Sequence, residues 1–193
     1  DCVQRFRGMF AFALWDRNRE TLFLARDRLA VKPLYYAMLP DGIFLFGSEL
    51  KSLLAHGGLA RDIDPLAVEE YFALGYVAEP RTIFHQARKL PPAHLLSVRR
   101  GQALAAPKAY WDVRFSLDQQ LPVDEACEQL NEILRESIRL RMISEVPLGA
   151  FLSGGVDSSA VVALMAGLSN EPVNTCSMAF EDPAYNEAAF AQE

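Results

Sequence analysis

The sequence predicts an α+β fold followed by an α/β fold. Two short hairpins followed by helices predict the α+β part. The order strand, loop, helix, strand further along predicts the α/β part, because that order forms a βαβ unit with parallel strands. Hydrophobic residues make up 51% and charged residues 23% of the 193 residues, which is typical of a globular protein with a buried core.

The first predicted hairpin lies near the start of the chain. Residues 8–15 alternate large and small apolar side chains, which predicts a strand, and residues 16–19 predict a turn. The apolar run 22–25 is expected to return antiparallel to that strand.

The second predicted hairpin pairs residues 35–38 with residues 43–46. Pro40-Asp41-Gly42 lies between them, and Gly42 supplies the positive φ that such turns need.

Two helices are predicted after the hairpins. Ser48 and Glu49 precede leucines at helical spacing and are expected to cap that helix. Asp64 is the expected N-cap of the next helix, with Pro65 in its first turn and Leu74 near its end.

The predicted domain boundary lies in residues 99–122, which contain Gly101, Pro107 and Pro122 without sustained periodicity. This stretch is a linker candidate between a first domain at 1–98 and a second at 123–193.

The second domain is predicted to open with an amphipathic surface helix at 124–142. The apolar runs 148–152 and 173–180 are the two strands of the βαβ unit, with a helix over 160–166 between them. Residues 186–193 predict the opening of a further helix.

Charge and cysteine content exclude several classes of function. A net charge of −6 disfavours nucleic acid as a partner, and no apolar run is long enough to span a membrane. The three cysteines are odd in number and far apart, which fits a reducing compartment and a cytoplasmic location. The three histidines share no metal-ligand spacing and are expected to be structural.

The run Ser153-Gly154-Gly155-Val156-Asp157-Ser158-Ser159 lies where a predicted strand meets a predicted helix. Helix N-termini carry unpaired N–H groups and partial positive charge, so they bind phosphate. The glycines let the backbone approach an oxygen closely, and the serines donate hydroxyl hydrogen bonds. A capped Gly-Gly turn that binds nothing is the alternative.

Asp157 is predicted to hold magnesium. A carboxylate repels phosphate oxygens unless a divalent cation lies between them, and Mg²⁺ binds one or two carboxylates together with substrate phosphates. Residues 109–193 contain no lysine, so the Walker A pattern is absent and transfer of the γ-phosphate is disfavoured.

Residues 146–159 resemble the pyrophosphate loop of glutamine-dependent asparagine synthetases. Four further segments resemble the later part of that family's glutaminase domain, at 6–16, 26–28, 32–36 and 48–53. Residues 89–94, Tyr110 and Trp111 resemble the join between its domains, and the aromatic pair is expected to anchor packing there. The resemblance covers nearly the whole chain in the family's order.

The resemblance implies a specific fold and activity. The first part would be the C-terminal half of an N-terminal-nucleophile (αββα) glutaminase domain. The second part would begin a doubly wound parallel-sheet ATP-pyrophosphatase domain, of the adenine nucleotide α-hydrolase type. In the family, ammonia from glutamine reaches a synthetase site where MgATP activates aspartate as β-aspartyl-AMP. Substrates would be glutamine, aspartate and ATP, with Mg²⁺ as cofactor, and a homodimer is left open.

Carried over residue by residue, the ATP and pyrophosphate contacts of this family are Leu152, Ser153, Gly154, Gly155, Asp157, Ser158, Ser159 and Met178, and Asp157 is the metal ligand. Leu152 and Met178 match positions whose backbone meets the adenosine.

The family's catalytic cysteine is expected upstream of residue 1, so no catalytic residue is assigned here and Cys2 is not that nucleophile. The aspartate pocket is expected after residue 193, and the isolated 193 residues are expected to lack turnover. Arg26-Asp27-Arg28 is expected to form a loop salt bridge. Ala30 replaces the family's usual glycine, which puts a positive-φ turn there in doubt.

Two other functions remain open at this stage. One is a relative that adenylates another carboxylate, such as a ring-closing β-lactam or lasso-peptide enzyme or an amidotransferase of surface-polysaccharide assembly. The other is a non-catalytic nucleotide-binding module, and the intact loop from Ser153 to Ser159 argues against it.

Overall fold

The computed structural model describes residues 2–116, 121–182 and 186–192. It divides into two compact units, Asp1–Phe115 and Ser116–Glu193. The division falls inside the stretch 99–122 predicted as a linker, of which residues 117–120 lie outside the described residues. Asp1 and Glu193 also lie outside them.

The first unit contains two antiparallel sheets and three helices among its described residues. Its elements in chain order are α1 (Cys2–Arg5), β1 (Ala11–Asp16), β2 (Thr21–Arg26), β3 (Tyr35–Met38), β4 (Phe44–Gly47), α2 (Leu50–Leu54), α3 (Pro65–Leu74), β5 (Ala87–Lys89), β6 (His94–Arg99) and β7 (Lys108–Ala109). The strand orders are β1-β2-β6-β7 and β4-β3-β5.

Both predicted hairpins are confirmed. β1 and β2 pair antiparallel from Ala11 opposite Arg26 to Asp16 opposite Thr21. β3 and β4 also pair antiparallel, and Gly42 in their turn has a φ of 86°. The α+β prediction for this part therefore agrees with the structure.

Three short strands were not predicted from the sequence. β5 pairs with β3, β6 with β2, and β7 with β6. They have three, six and two residues, and Pro91 and Pro92 precede β6. β7 lies within the predicted linker stretch.

Apolar side chains from both sheets meet in one buried cluster, formed by Leu24, Leu34, Tyr36, Leu90 and Leu96. A second buried cluster lies against α2 and contains Ala37, Leu39, Leu53, Leu59 and Ala87. Because neighbouring residues of a strand point to opposite faces, β3 contributes Tyr36 to one cluster and Ala37 to the other. The unit is therefore layered as sheet, sheet and helix.

The helix-start predictions have different outcomes. Asp64 caps α3 as expected, since its side chain accepts a hydrogen bond from the backbone N–H of Leu66 at 3.1 Å. At α2 the capping prediction was wrong: Glu49 occupies the N-cap position but makes no side-chain capping bond. Its carboxylate pairs instead with Lys51 at 2.7 Å.

The predicted loop salt bridge at Arg26-Asp27-Arg28 was wrong in its partners. Arg26 is only 5% exposed and pairs with Glu79, 53 residues away, at 2.7 Å. Its guanidinium also donates to the carbonyl oxygens of Ala30 and Lys32. Arg26 therefore holds together segments that are distant in sequence.

The doubt about a positive-φ turn at Ala30 was also misplaced. Ala30 has a φ of 55°. Its N–H donates to the carbonyl of Asp27 at 3.2 Å, so the loop keeps the left-handed conformation without glycine.

Tyr110 and Trp111 pack within the first unit, and their role as anchors of the join between domains stays a prediction. The Tyr110 hydroxyl donates to the carbonyl oxygen of Arg26 at 2.7 Å. The Trp111 ring lies 5.9 Å from the guanidinium carbon of Arg28, a cation–π distance.

The second unit carries the predicted βαβ unit. Its elements are α4 (Val123–Arg141), β8 (Gly149–Phe151), α5 (Val156–Leu168), β9 (Asn174–Cys176) and α6 (Ala188–Gln192). β8 and β9 pair parallel, with Gly149 opposite Asn174 and Phe151 opposite Cys176. The predicted amphipathic helix at 124–142 is confirmed as α4.

In the described part of the chain, no helix combines the length and apolar character needed to cross a bilayer. All three cysteines are free thiols.

Candidate phosphate-binding site

The candidate site is the turn that leads from β8 into α5. The backbone N–H of Leu152 donates to the carbonyl of Cys176 at 3.0 Å. The hydroxyl of Ser177 donates to the Leu152 carbonyl at 2.6 Å. These two bonds fix the start of the turn to the end of β9, which places it at the carboxyl edge of the parallel pair.

Two serine side chains brace the turn from within. The hydroxyl oxygens of Ser153 and Ser158 lie 3.0 Å apart, and the Ser158 hydroxyl donates to the Gly155 carbonyl at 3.1 Å. The N–H of Gly155 donates to the Ser153 hydroxyl oxygen at 3.3 Å. The serine hydroxyls that could bind phosphate are therefore already held in position at the N-terminus of α5.

Position 154 requires glycine for two reasons. Its φ is 76°, in the left-handed region that side chains disfavour. A Cβ at this position would also lie 2.5 Å from the Cβ of Phe190. The loop and α6 are thus in close contact.

The first turn of α5 presents its backbone donors outward. Gly155 is the N-cap and has no side chain that could cap the helix, and the first intrahelical bond runs from Ser159 N–H to the Gly155 carbonyl at 3.0 Å. The N–H groups of Val156, Asp157 and Ser158 have no intrahelical acceptor, so they and the helix dipole favour an anion.

Asp157 lies in this first turn, is exposed, and has no hydrogen-bonded or ionic partner among the described residues. Within those residues no group of three His, Cys, Asp or Glu side chains could hold a metal. Asp157 therefore fits a cation whose remaining ligands are phosphate oxygens and water, which is how Mg²⁺ usually binds.

A half-open cavity of about 140 Å³ lies beside the turn. Its lining residues are Phe151, Leu152, Ser153, Cys176, Ser177, Met178, Phe180 and Glu187. The lining is mostly apolar, as expected for a surface that holds a flat ring.

The structure brings the predicted site residues together. Six of them, Ser153 to Gly155 and Asp157 to Ser159, form the turn and the first helical turn. Leu152 and Met178 line the adjacent cavity. Sequence reasoning missed Ser177, Glu187 and Phe190, because no local pattern marks a residue that reaches the loop from another segment.

Two known families match this chain. Residues 1–111 match the family described as glutamine amidotransferase domain, and residues 129–193 match the family described as asparagine synthase. The chain belongs to the glutamine-hydrolysing asparagine synthetase family. The resemblance seen in the sequence is thereby confirmed.

Relatives within and beside this family include bacterial, archaeal and fungal proteins. Glutamine-hydrolysing asparagine synthetase 3 of Bacillus subtilis (strain 168) is 37% identical, over 98% of this chain and 31% of its own length. Putative asparagine synthetase 2 of Methanocaldococcus jannaschii is also 37% identical, over 98% of this chain and 37% of its own. Amidase chyE of Penicillium rubens is 35% identical over 86% of this chain and 24% of its own. The chain thus spans between 24% and 37% of the lengths of these relatives.

Proposed function

We propose that the protein is an ATP-dependent, glutamine-hydrolysing amidotransferase that forms asparagine from aspartate through β-aspartyl-AMP. The observation that carries this proposal is the turn from β8 into α5, where unpaired N–H groups, two braced serines and a glycine with a φ of 76° converge. Membership in the asparagine synthetase family supports the acceptor and the nitrogen donor.

The residues of the turn have distinct roles in this proposal. The N–H groups of α5 and the hydroxyls of Ser153, Ser158 and Ser159 bind pyrophosphate as it leaves, and donors fixed in advance stabilise the charge that develops on it. Leu152 and Met178 contact the adenosine. A magnesium ion held by Asp157 and phosphate oxygens would neutralise charge on the leaving group.

The finer fold assignments belong to the same proposal. Two antiparallel sheets packed on each other support an αββα glutaminase domain for residues 1–98. The parallel pair of β8 and β9 supports a doubly wound sheet begun within residues 123–193. The free cysteines support a cytoplasmic location. A homodimer is compatible with this proposal.

A second candidate is an amidotransferase of the same mechanism that activates another carboxylate. The specific observation in its favour is the 35% identity to a protein named as an amidase rather than an asparagine synthetase. The phosphate-binding turn would serve both reactions equally.

The test uses the whole gene product that contains this chain. It is incubated with aspartate, MgATP and glutamine labelled with ¹⁵N in the side-chain amide, and products are read by mass spectrometry. Asparagine carrying the label, with an equal amount of AMP, is expected. AMP formed only with another carboxylate would favour the second candidate. No AMP with any carboxylate would overturn the adenylating function.

A further inference from the structure

The segment that carries α6 lies against the phosphate-binding turn. A Cβ on Gly154 would fall 2.5 Å from the Cβ of Phe190, 2.6 Å from its carbonyl carbon and 2.8 Å from its carbonyl oxygen. The backbone of α6 therefore reaches the turn itself. Glu187 lies three residues before Phe190, about one helical turn away.

Glu187 lines the cavity beside the turn. It is the one charged residue among the described residues that line this cavity, and Leu152 and Met178 lie in the same lining. Within the described part of the chain, the Glu187 carboxylate has no hydrogen-bond or ion-pair partner. It is thus free to accept hydrogen bonds from a ligand.

The chemistry of a nucleotide limits what this carboxylate can bind. Its phosphates would bind at the α5 N-terminus, and its base would lie against the apolar lining, so the ribose would lie between them. A carboxylate accepts hydrogen bonds only and repels phosphate. Neutral ribose hydroxyls are the donors it fits, and dinucleotide-binding folds use an acidic residue for the same contact.

We infer that Glu187 is a specificity-determining residue that accepts hydrogen bonds from the ribose hydroxyls of ATP. This inference rests on the ATP-binding function proposed above and adds a nucleoside contact to it. It assigns the residue directly before α6 to the site, although this segment carries no recognisable motif.

The experiment measures equilibrium binding of ATP, 2′-deoxy-ATP and 3′-deoxy-ATP by calorimetry, with Mg²⁺ and without glutamine or aspartate. The whole gene product is compared with its Glu187→Ala variant, because a glutamine would keep an oxygen that accepts hydrogen bonds. Glu171→Ala is the matched control, because it removes the same side chain from an exposed loop that leads into β9, at the opposite end of that strand from the turn.

The unaltered protein is expected to bind ATP about tenfold more tightly than at least one deoxy analogue, the size of one charge-assisted hydrogen bond. Glu187→Ala should abolish that preference and weaken ATP binding about tenfold, while Glu171→Ala keeps both. The ratio between ATP and its analogue is insensitive to general loss of charge or stability.

Three results would overturn the inference. If the unaltered protein binds ATP but shows no preference over either analogue, the ribose contact does not exist. If the preference survives in Glu187→Ala, another residue makes the contact. If the unaltered protein binds no ATP at all, the proposed function fails together with the inference.

Discussion

Asp27 is a buried carboxylate, 2% exposed, whose two oxygens accept hydrogen bonds from the backbone N–H groups of Phe10, Leu29, Val31 and Lys32. Burial alone would raise the pKa of Asp27, but these four donors outweigh it and hold the pKa below its ordinary value. The ionised form therefore stabilises the fold. This stability is present above the unfolded pKa, near about 4, and is lost as pH falls through the lower folded pKa.

Replacing Asp27 by Asn should lower the free energy of unfolding by about 3 kcal/mol at neutral pH. The amide keeps one accepting oxygen and puts an NH₂ group against two backbone donors, which are left unpaired in the interior. The measurement is urea denaturation followed by tryptophan fluorescence, since Trp15 and Trp111 both lie in the first unit.

Asp41→Asn is the control for this change. Asp41 is exposed and accepts one hydrogen bond, from the backbone N–H of Ile43 at 3.1 Å. Asp41→Asn should therefore lower the free energy of unfolding by less than about 1 kcal/mol. Below about pH 4 the unaltered chain should lose stability more steeply than Asp27→Asn. Parallel pH profiles would show that Asp27 is not the group responsible.

Ala30 keeps a left-handed conformation that costs an alanine about 1–2 kcal/mol. Ala30→Gly should leave the free energy of unfolding unchanged or raise it by up to about 1 kcal/mol, because relief of strain exceeds the backbone entropy that glycine loses on folding. Ala25→Gly, at a buried position in β2, should instead lower it by about 1–2 kcal/mol. Equal losses in the two variants would contradict the strain argument.

Local chemistry could be predicted at single residues, whereas long-range partners could not. The cap at Asp64 follows from its place before Pro65, and the position of Ser153 and Ser158 at the start of a helix follows from the two glycines between them. The pairing of Arg26 with Glu79 spans 53 residues and leaves no local signal. The contact between Gly154 and Phe190 could not be predicted either, because these two residues are also far apart in the sequence.

At the scale of elements, the two helix starts of the first unit differ in how they are capped. Asp64→Ala should destabilise the chain by about 1–2 kcal/mol, because it removes the acceptor for the Leu66 N–H from a position that is 4% exposed. Glu49→Ala at the start of α2 should cost less than about 0.5 kcal/mol, since Glu49 makes no cap and its pair with Lys51 is at the surface. The same urea denaturation measures both. A comparable loss from the two variants would rule out capping as the cause.

Element prediction succeeded where periodicity and turn chemistry agree. β1 to β4 combine apolar runs with clear turns, and α4 has a regular apolar stripe. β5 and β7 are too short for any period to show, and β6 follows Pro91 and Pro92, which interrupt regular patterns. β5 and β6 are placed by pairing with β3 and β2, which are distant in sequence, and β7 is placed by pairing with β6.

At the scale of the whole molecule, each of the two compact units contains one of the two family matches. The glutamine amidotransferase match lies within the first unit, and the asparagine synthase match lies within the second, which contains the candidate phosphate-binding turn. The proposed function therefore predicts that one reaction can be lost without the other. Asp157 provides the means to test this.

In the whole gene product, Asp157→Ala should abolish MgATP-dependent AMP formation and leave glutamine hydrolysis largely intact. Without this carboxylate no side chain of the turn offsets the charge of the bound cation, and the leaving pyrophosphate is poorly neutralised. The readouts are AMP by chromatography and glutamate release from glutamine, measured on the same samples.

Asp124→Ala is the matched control, because Asp124 follows Val123 at the start of α4 as Asp157 follows Val156 at the start of α5. Each change removes one acid from the first turn of a helix, worth about 0.3–1 kcal/mol through the helix dipole. Only the acid beside the phosphate-binding turn should affect AMP formation. Unchanged AMP output in Asp157→Ala would refute the magnesium assignment, and equal losses in both variants would show that helix stability, rather than cation binding, is being measured.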